Sequence, residues 1–299
     1  MPKLVLVTGA SGFVGSQLTR LLVGAGHRVL AMTRHPEDYP GWGEPVYGDV
    51  ADAASLEQAL AGVHAAYYLV HSLESADFED KDADAALNFG RAAADNGLER
   101  IIYLGGLGLD NGDLSPHLRS RRQVEQLLAL AGVPVTVLRA AVVIGHGGIS
   151  WEITRQLVDH LPAMLTPDWV NTRTQPIALP DVLRYLVGVL EPVEARGRTF
   201  EIGGPEVLRY IDMLQRAAGL QDKKLPNVSV PMLSPRLSSM WLSLVTDVDT
   251  DTARNLVDSM MNEMVVTDRS IEAVVPGPTI GYDDAVRLAR AERERAERE

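Results

Sequence analysis

Residues 4–15 of the chain read LVLVTGASGFVG, and this stretch decides the fold. The apolar run over 4–7 is typical of a buried strand, and the glycines after it predict a tight turn into a helix. Gly9 can adopt the backbone angles of the turn, Gly12 lets the main chain approach a pyrophosphate, and Gly15 lets the helix pack close to the strand. The free N–H groups of that helix would face the phosphates. The stretch therefore predicts a dinucleotide-binding site.

The rest of the first half of the chain makes this prediction specific, since a glycine triplet alone is a weak signal. Strands are expected over 28–33, 46–50, 65–70, 101–104 and 135–138, and helices over 16–23, 55–60, 81–96 and 118–131. Such alternation predicts the fold class α/β, a Rossmann-type doubly wound parallel sheet.

After residue 145 the pattern becomes less regular. A strand-like stretch over 175–178 and a helix over 180–190 are expected to return the chain to the sheet, whose last strand is predicted over 200–202. The dinucleotide-binding domain would then contain residues 1–145 and about 175–204. Residues of about 146–174 and 205–299 would form a smaller C-terminal substrate lobe over the carboxyl ends of the strands. Residues 290–299 are predicted to be a solvated helix of mixed charge.

Composition excludes several classes of protein. The formal charge of −12 argues against a nucleic-acid partner, because phosphate binding needs a basic face. The chain has no cysteine, which excludes disulfides, thiolate metal sites and cysteine nucleophiles. No apolar run approaches the roughly 20 residues of a membrane helix, and the residues before the first strand leave no room for a signal peptide. We therefore expect a cytoplasmic protein with a small-molecule partner.

The end of the second strand indicates which dinucleotide is bound. In the NAD form of this fold an acidic residue about 20 positions past the glycine loop binds the ribose 2′-hydroxyl. Thr33 and Arg34 stand there instead, and the guanidinium of Arg34 offers donors suited to a 2′-phosphate. NADP is thus favoured over NAD; the alternative is an ordinary exposed loop arginine. Asp49, followed by Val50, is a candidate acceptor for the adenine amino group.

Further motifs follow the glycine loop: Asp49-Val50, Asn88 in the helix before Arg100-Ile101-Ile102-Tyr103, Ser120-Arg121 followed by Glu125, and Leu138-Arg139-Ala140. Together they resemble the atypical and extended short-chain dehydrogenase/reductases over roughly residues 3–204. The resemblance is strongest to the NmrA-like or NAD-dependent-epimerase-like branch. That branch includes reductases and also dinucleotide-binding proteins without turnover.

The resemblance implies a catalytic serine, tyrosine and lysine, and the chain departs from all three. A tyrosine and a lysine four residues later share a helix face and reach the same nicotinamide, but no tyrosine here has a lysine at that spacing. His117 stands at the tyrosine position, Arg121 at the lysine position and Gly105-Gly106 at the serine position. His117 is a candidate acid near neutral pH, with a pKa lowered by Arg121, or else an exposed residue at a helix start. Arg121 is a candidate donor to the ribose hydroxyls.

Other side chains are weaker candidates. His71 follows the fourth strand, where ligands bind in this fold, but a structural histidine is the alternative. Arg139 belongs either near the nicotinamide or in a buried ion pair. Trp151, Trp169 and Trp241 are candidate walls of an apolar pocket or ordinary core residues. No histidine pair has metal-ligand spacing and no serine lies in a nucleophile elbow, so neither metal catalysis nor acyl transfer is expected. The residues expected to bind the cofactor are Thr8, Gly9, Ser11, Gly12, Phe13, Val14, Gly15, Thr33, Arg34, Asp49, Val50, Leu69, Val70, His71, Gly105, Gly106, Arg121 and Ala140.

These observations predict an NADP-dependent oxidoreductase acting on an unidentified small, apolar carbonyl or enone. Hydride transfer needs mainly geometry from the protein, so losing the tyrosine weakens proton delivery without forbidding reduction. His117 or a water would then supply the proton. Two alternatives stay open. The dinucleotide could be a sensory or structural ligand that acts on a protein partner, as in the NmrA-like regulators, or the chain could be an accessory subunit, as in respiratory complex I.

Overall fold

The computed structural model describes residues 2–72, 75, 77–108, 114–160, 164–166, 168–229 and 250–298. A central sheet contains seven parallel strands: β1 (Leu4–Val7), β2 (Arg28–Thr33), β3 (Glu44–Tyr47), β4 (Ala65–Tyr68), β5 (Arg100–Gly106), β6 (Val135–Ala140) and β11 (Thr199–Ile202). Their spatial order is β11-β6-β5-β4-β1-β2-β3. The predicted Rossmann-type doubly wound sheet is confirmed.

Helices cover both faces of this sheet. One face carries α1 (Phe13–Gly24) and α6 (Leu179–Gly188), which contribute Leu18 and Val182 to a core with the strands. The other face carries α2 (Ala53–Ala59), α3 (Phe78–Asp95) and α4 (Pro116–Ala129), which contribute Leu56, Phe89 and Val124 to a second core. Because helices cover both faces, the central strands are buried on both sides and read as continuous apolar runs.

The edge strand β3 is the least regular of the sheet. Its side chains are exposed or half-buried, and Pro45 is tolerated because an edge strand pairs on one side. The strand begins at Glu44, two residues before the predicted start. Its register against β2 explains the difference, since Leu30 pairs with Glu44 and Thr33 with Tyr47.

A third core lies beside the sheet. It gathers Trp151 from α5 (Ile149–His160), Met213 from α7 (Tyr210–Gly219), Val257 from α8 (Thr250–Met260) and Val286 from α10 (Tyr282–Ala296). The short helix α9 (Ile271–Val274) packs instead on the face of α1 and α6. The predicted solvated helix over 290–299 is therefore the far end of α10, whose first turns are buried.

The stretch predicted as a strand over 175–178 does not join the central sheet. It forms β10 (Ile177–Ala178), which pairs with β7 (Val143–Ile144), because β11 already occupies the position beside β6. Two more pairs lie outside the sheet: β9 (Arg173–Thr174) with β12 (Leu208–Arg209), and β8 (Met164–Thr166) with β13 (Asn227–Ser229). In the described ranges, every helix is too short or too polar to cross a bilayer.

Candidate functional site

The glycine loop lies at the point where the strand order reverses. The strand β1 is paired with β2 on one side and β4 on the other, so the connections that leave β1 and β4 diverge and open a crevice at their carboxyl ends. Gly9 has a φ of +62°, which favours glycine. A methyl group on Gly15 would overlap the Gly9 carbonyl oxygen and lie 2.8 Å from its carbonyl carbon. The turn therefore needs glycine at both positions.

The helix that follows this turn can bind an anion. It begins at Phe13, three residues before the predicted start, and Gly12 is its N-cap without any side-chain hydrogen bond from the described residues. The first N–H groups of α1 are thus left for a ligand, and the helix dipole favours negative charge there. This geometry fits a dinucleotide pyrophosphate.

On one side of the loop lies an open cavity of about 1040 Å³ at the ends of β2 and β3. It is lined by Thr33, Arg34, Asp49 and Val50, the residues that the sequence predicts to bind the adenosine half of the cofactor. Arg34 is exposed, and no carboxylate in the described part of the chain pairs with it. One carboxylate oxygen of Asp49 accepts a hydrogen bond from the Ala51 N–H at 2.9 Å. We call this the adenosine cavity.

The helix α3 adds residues to the adenosine cavity that the sequence analysis did not assign to the cofactor. Lys81, Asn88 and Arg91 line its outer wall. The Asn88 side chain donates to the Val50 carbonyl at 3.3 Å, so it ties α3 to the end of β3. The sequence motif pointed to Asn88, but its contact is between protein groups.

On the other side of the loop lies a second cavity of about 480 Å³, which we call the inner cavity. The two cavities share Gly9, Ser11, Val70 and His71, so they are the two halves of one groove. All but one of the residues expected to bind the cofactor line this groove; the inner cavity alone contains Gly12, Phe13, Val14, Gly15, Leu69, Gly105, Gly106, Arg121 and Ala140.

Thr8 is the exception. It is fully buried, and its hydroxyl accepts a hydrogen bond from the Leu69 N–H at 2.9 Å. Thr8 directly follows β1, and this hydrogen bond holds the end of β4 against the end of β1. Its place is beneath the site, not in its lining.

The inner cavity brings His117 and Arg121 together on the first turns of α4. Arg121 Nε lies 3.4 Å from His117 Nε2, and His117 Nδ1 lies 3.0 Å from Ser259 Oγ on α8. Arginine only donates, so Nε2 must be the acceptor and Nδ1 carries the proton of the neutral ring. Ser259 Oγ then donates to the Asn255 carbonyl at 2.8 Å. This direction of donors is assigned from the network.

The same network holds α8 against the start of α4. Ser115 Oγ lies 3.1 Å from Ser259 Oγ and also caps α4 by accepting from the Leu118 N–H. The Ser115 N–H donates to the Asn262 side chain at 3.0 Å. Two segments separated by more than 140 positions therefore share one hydrogen-bond network at the cavity floor.

Both histidines of the inner cavity are neutral at physiological pH. Burial and then the charge of Arg121 lower the pKa of His117 to about 3. The same two causes lower the pKa of His71, whose side chain remains accessible from the groove. The effect of Arg121 on the pKa of His117 has the direction predicted from the sequence, and burial lowers that pKa further. A neutral His117 is a much weaker proton donor than the imidazolium expected from the sequence.

Arg121 is the cation of this floor. It is 9% exposed, and no described carboxylate lies within 4 Å of its guanidinium. Besides its bond to His117, the Arg121 side chain donates a hydrogen bond to the Tyr103 hydroxyl, and the described residues offer it no further acceptor. Arg139 is different, because it forms a two-point ion pair with Glu125, with Nε–Oε2 at 3.1 Å and Nη2–Oε1 at 2.6 Å. The ion-pair interpretation of Arg139 is thus the one that the structure supports.

The roof of the inner cavity is largely apolar and comes from the irregular part of the chain. Ile149, Tyr210, Leu256, Met260 and Met264 line it. The sequence analysis placed a pocket under this region but did not identify these residues, because their spacing alone does not separate a cavity wall from a core. Burial raises the pKa of Tyr210, and a hydrogen bond with Thr174 opposes that shift.

Of the three tryptophans predicted as candidate pocket walls or core residues, only the side chain of Trp151 is described, and it is a core residue. Trp151 is fully buried in the third core and is absent from the cavity lining. The Trp169 side chain and all of Trp241 lie outside the described residues. No group of three histidine or carboxylate side chains in the described ranges could hold a metal ion.

Comparison with known sequences connects this groove to one family. The model of a family described as NAD(P)H-binding matches residues 9–160, just over half of the chain. A (4-alkanoyl-5-oxo-2,5-dihydrofuran-3-yl)methyl phosphate reductase of Streptomyces griseus is 33% identical over 141 residues, which are 46% of each protein. An uncharacterized protein of Mycobacterium tuberculosis is 28% identical over 187 residues, 62% of this chain but 20% of that one. The chain thus spans less than half the length of these relatives.

Solved structures share the fold across nearly the whole chain. Triphenylmethane reductase from Citrobacter sp., complexed with NADP(H), superposes with a TM-score of 0.78 at 18% identity and covers 95% of this chain and 99% of that one. A nucleoside-diphosphate-sugar epimerase from Staphylococcus aureus gives 0.77 at 15% identity, with 96% and 99% covered. At such identities the likeness concerns the fold. The predicted resemblance to epimerase-like and reductase-like members of the superfamily is confirmed at this level.

Proposed function

The chain belongs to the NAD(P)H-binding family, and from this premise we propose that it is an NADP(H)-dependent reductase of a small, largely apolar carbonyl or enone compound. One observation carries the proposal. A single groove runs from the exposed Arg34 past the glycine loop to a smaller cavity with a cationic floor and an apolar roof. Such a groove has room for a dinucleotide and, beside it, for a second small molecule.

Different residues of the groove would bind different parts of the dinucleotide. The N–H groups at the start of α1 would hold the pyrophosphate, and Asp49 has one carboxylate oxygen beyond its turn for the adenine amino group. Arg34 would pair with a 2′-phosphate, which is the reason for preferring NADP. When bound, the dinucleotide supplies a hydride. Leu256, Met260 and Met264 would exclude water from the substrate and so strengthen the field of Arg121.

Names of similar proteins support the same class of reaction. The Streptomyces relative is a reductase, and the Citrobacter structure is a reductase complexed with NADP(H). Hydride transfer onto a carbonyl compound is therefore the reaction that we propose to test first.

The test begins with cofactor binding. NADPH and NADH are titrated by calorimetry, and loss of NADPH absorbance is then followed with ketones, quinones and enones. We expect tighter binding of NADPH and turnover with at least one class. Saturable NADPH binding without turnover on any of these compounds would count against the proposal.

A non-catalytic sensor is the second candidate, and one observation favours it. Gly106, His117 and Arg121 occupy the positions of the superfamily's serine, tyrosine and lysine. A sensor must bind NADP⁺ and NADPH with different affinities, since a ligand shifts an equilibrium only through differential affinity. Equal affinities for NADP⁺ and NADPH, both titrated by calorimetry, together with turnover, would reject it.

A further inference from the structure

The floor of the inner cavity contains a permanent cation and lacks an evident acid. Arg121 is nine-tenths buried, lines the cavity, and has no described carboxylate within 4 Å. A buried charge is costly unless something compensates it. Here the groups that surround it are His71 and His117, both neutral, and the hydroxyls of Tyr68 and Tyr103. The buried carboxylate of Asp82 also acts on both tyrosines, but it lies more than 4 Å from the guanidinium and accepts hydrogen bonds from the Ser72 N–H and the Ser120 hydroxyl. The floor is therefore arranged to receive a negative charge from a ligand.

Among the residues that the structure describes, no group near Arg121 is well placed to give a proton to that ligand. The single proton of neutral His117 is donated to Ser259, and Ser259 donates to the Asn255 carbonyl. Burial holds the pKa of Tyr210, on the roof, above its usual range. Arginine stays protonated in proteins and so stabilises an anion without neutralising it.

A cation without an acid suits some carbonyl compounds and not others. Reduction of an isolated ketone leaves an alkoxide, whose conjugate acid resembles water with a pKa of about 15.7, so it needs a proton during the reaction. Conjugate reduction of an enone or quinone leaves an enolate or phenolate. The pKa of a phenol is about 10, so a phenolate can persist beside a fixed positive charge.

We propose that Arg121 binds the anionic oxygen of an enolate or phenolate, which makes α,β-unsaturated carbonyl compounds, including quinones, the substrate class of this cavity. The substrate class rests on the proposed function, whereas the binding of an anionic oxygen does not. Hydride addition to the β-carbon of an enone forms a C–H bond, moves the C=C π pair into the enolate double bond and moves the C=O π pair onto oxygen, which takes the negative charge. Water then gives one proton to the α-carbon, and the dinucleotide ends oxidised.

His117 and Ser259 are positioning residues in this proposal. The ring of His117 accepts a hydrogen bond from Arg121 Nε at 3.4 Å. The terminal amino groups of the guanidinium carry four further N–H donors, so they can bind a ligand beside the Tyr103 hydroxyl. Ser259 fixes the ring from its other side at 3.0 Å. The helix α8 thereby links the roof of the cavity to the orientation of its cation.

The binding claim can be tested without turnover. The probe is 4-nitrophenol, whose anion has its own visible absorption band, titrated with pH in the presence of the protein, alone and with NADP⁺. We expect the pKa of the bound probe to fall by about 1 unit or more, as beside any opposite charge at contact. Arg121→Met should abolish the shift and Arg121→Lys should keep part of it. Arg119→Met, an exposed position on the same helix, should leave it unchanged.

Each other outcome overturns the proposal. It fails if the probe does not bind saturably, if its pKa is unchanged or raised, or if Arg121→Met shifts it as the wild type does. A loss of NADP⁺ affinity in Arg121→Met with an unchanged probe shift would instead assign Arg121 to the ribose. Circular dichroism of both Arg121 variants checks that they fold.

A second measurement separates this inference from the proposed function. Initial rates with NADPH are compared for 2-cyclohexen-1-one and cyclohexanone, which differ in conjugation. We expect a preference of at least about 100-fold for the enone, the size of one oxyanion interaction. A probe shift without any turnover would leave the anion site standing and remove the reductase. Turnover with a preference for cyclohexanone would support the reductase and reject the proposed substrate class.

Discussion

The two halves of the groove are built in different ways. The adenosine cavity is open and carries exposed charges, such as Arg34 and Arg91, on loops and on α3. The inner cavity has less than half its volume and places one buried cation, Arg121, under an apolar roof. Exposed charges act through a high dielectric and are screened by salt, whereas a buried charge acts at close range with little screening. Affinity for the dinucleotide should therefore depend on salt far more than the chemistry of the inner cavity does.

The largest effect is expected from a substitution in the glycine loop, which the two halves of the groove share. In Gly15→Ala the new methyl group would overlap the Gly9 carbonyl oxygen, so the loop must move and lose its shape for the pyrophosphate. We expect NADPH affinity to fall by about 100-fold, in line with the strain of overpacking. Calorimetric titration measures it.

A matched control lies in the same helix. Gly24 has no atom within 4 Å of an added methyl group, so Gly24→Ala should bind NADPH like the wild type. Equal losses in the two variants would mean that the glycine loop is not the binding element.

The next effect sharpens the contrast by acting on the adenosine cavity alone. Arg34→Ala removes the proposed partner of the 2′-phosphate and should weaken NADPH binding by about 10-fold or more while leaving NADH binding unchanged. Arg20→Ala, an exposed position on α1, is the control. If both cofactors lose affinity equally, Arg34 does not read the 2′-phosphate.

The burial of His117 in the inner cavity should make the stability of the protein depend on pH. The pKa of folded His117 is about 3, below the ordinary value of 6.5, so the unfolded chain binds the extra proton between these values. Stability therefore falls as pH falls through this window. From about pH 7.5 to about pH 5.5 we expect the wild type to lose about 1 kcal/mol more than His117→Gln. Urea unfolding at both pH values measures this difference. Identical losses of unfolding free energy in the two proteins would mean that His117 is exposed to water.

The smallest expected effect concerns the roof. Tyr210→Phe should change the rate with enones by less than about threefold, because burial raises the pKa of Tyr210 and makes it a poor acid. A loss of about 100-fold with unchanged NADPH affinity would instead identify Tyr210 as the proton donor.

Much of the binding half could be predicted from the sequence. The strand, the glycine spacing and Arg34 are neighbours along the chain, and local patterns determine their geometry. The predicted ends of elements were less accurate: α1 begins three residues early because Gly12 caps it, and β3 begins early because it follows the register of β2. Trp151 was a poor guide to the pocket, since a large apolar side chain suits a core as well as a cavity wall.

The inner half depends on residues that are far apart in sequence. His117 and Arg121 were identified through the resemblance, as the residues at the tyrosine and lysine positions, and their four-residue spacing brings them to one helix face. Their protonation and partners were not predictable. Ser259, Leu256 and Tyr210 come from segments without a clear periodic pattern. Only packing brings them to α4.

The sequence by itself determined that this chain folds as a doubly wound sheet with a glycine turn at its centre, because turn geometry and strand alternation are local properties of the backbone. The tertiary structure alone decided that His117 is neutral, that its proton is donated to Ser259, and that Arg121 stands without a described carboxylate beneath an apolar roof. The reason is physical: protonation and charge stabilisation depend on burial and on distances between side chains, and the fold sets both.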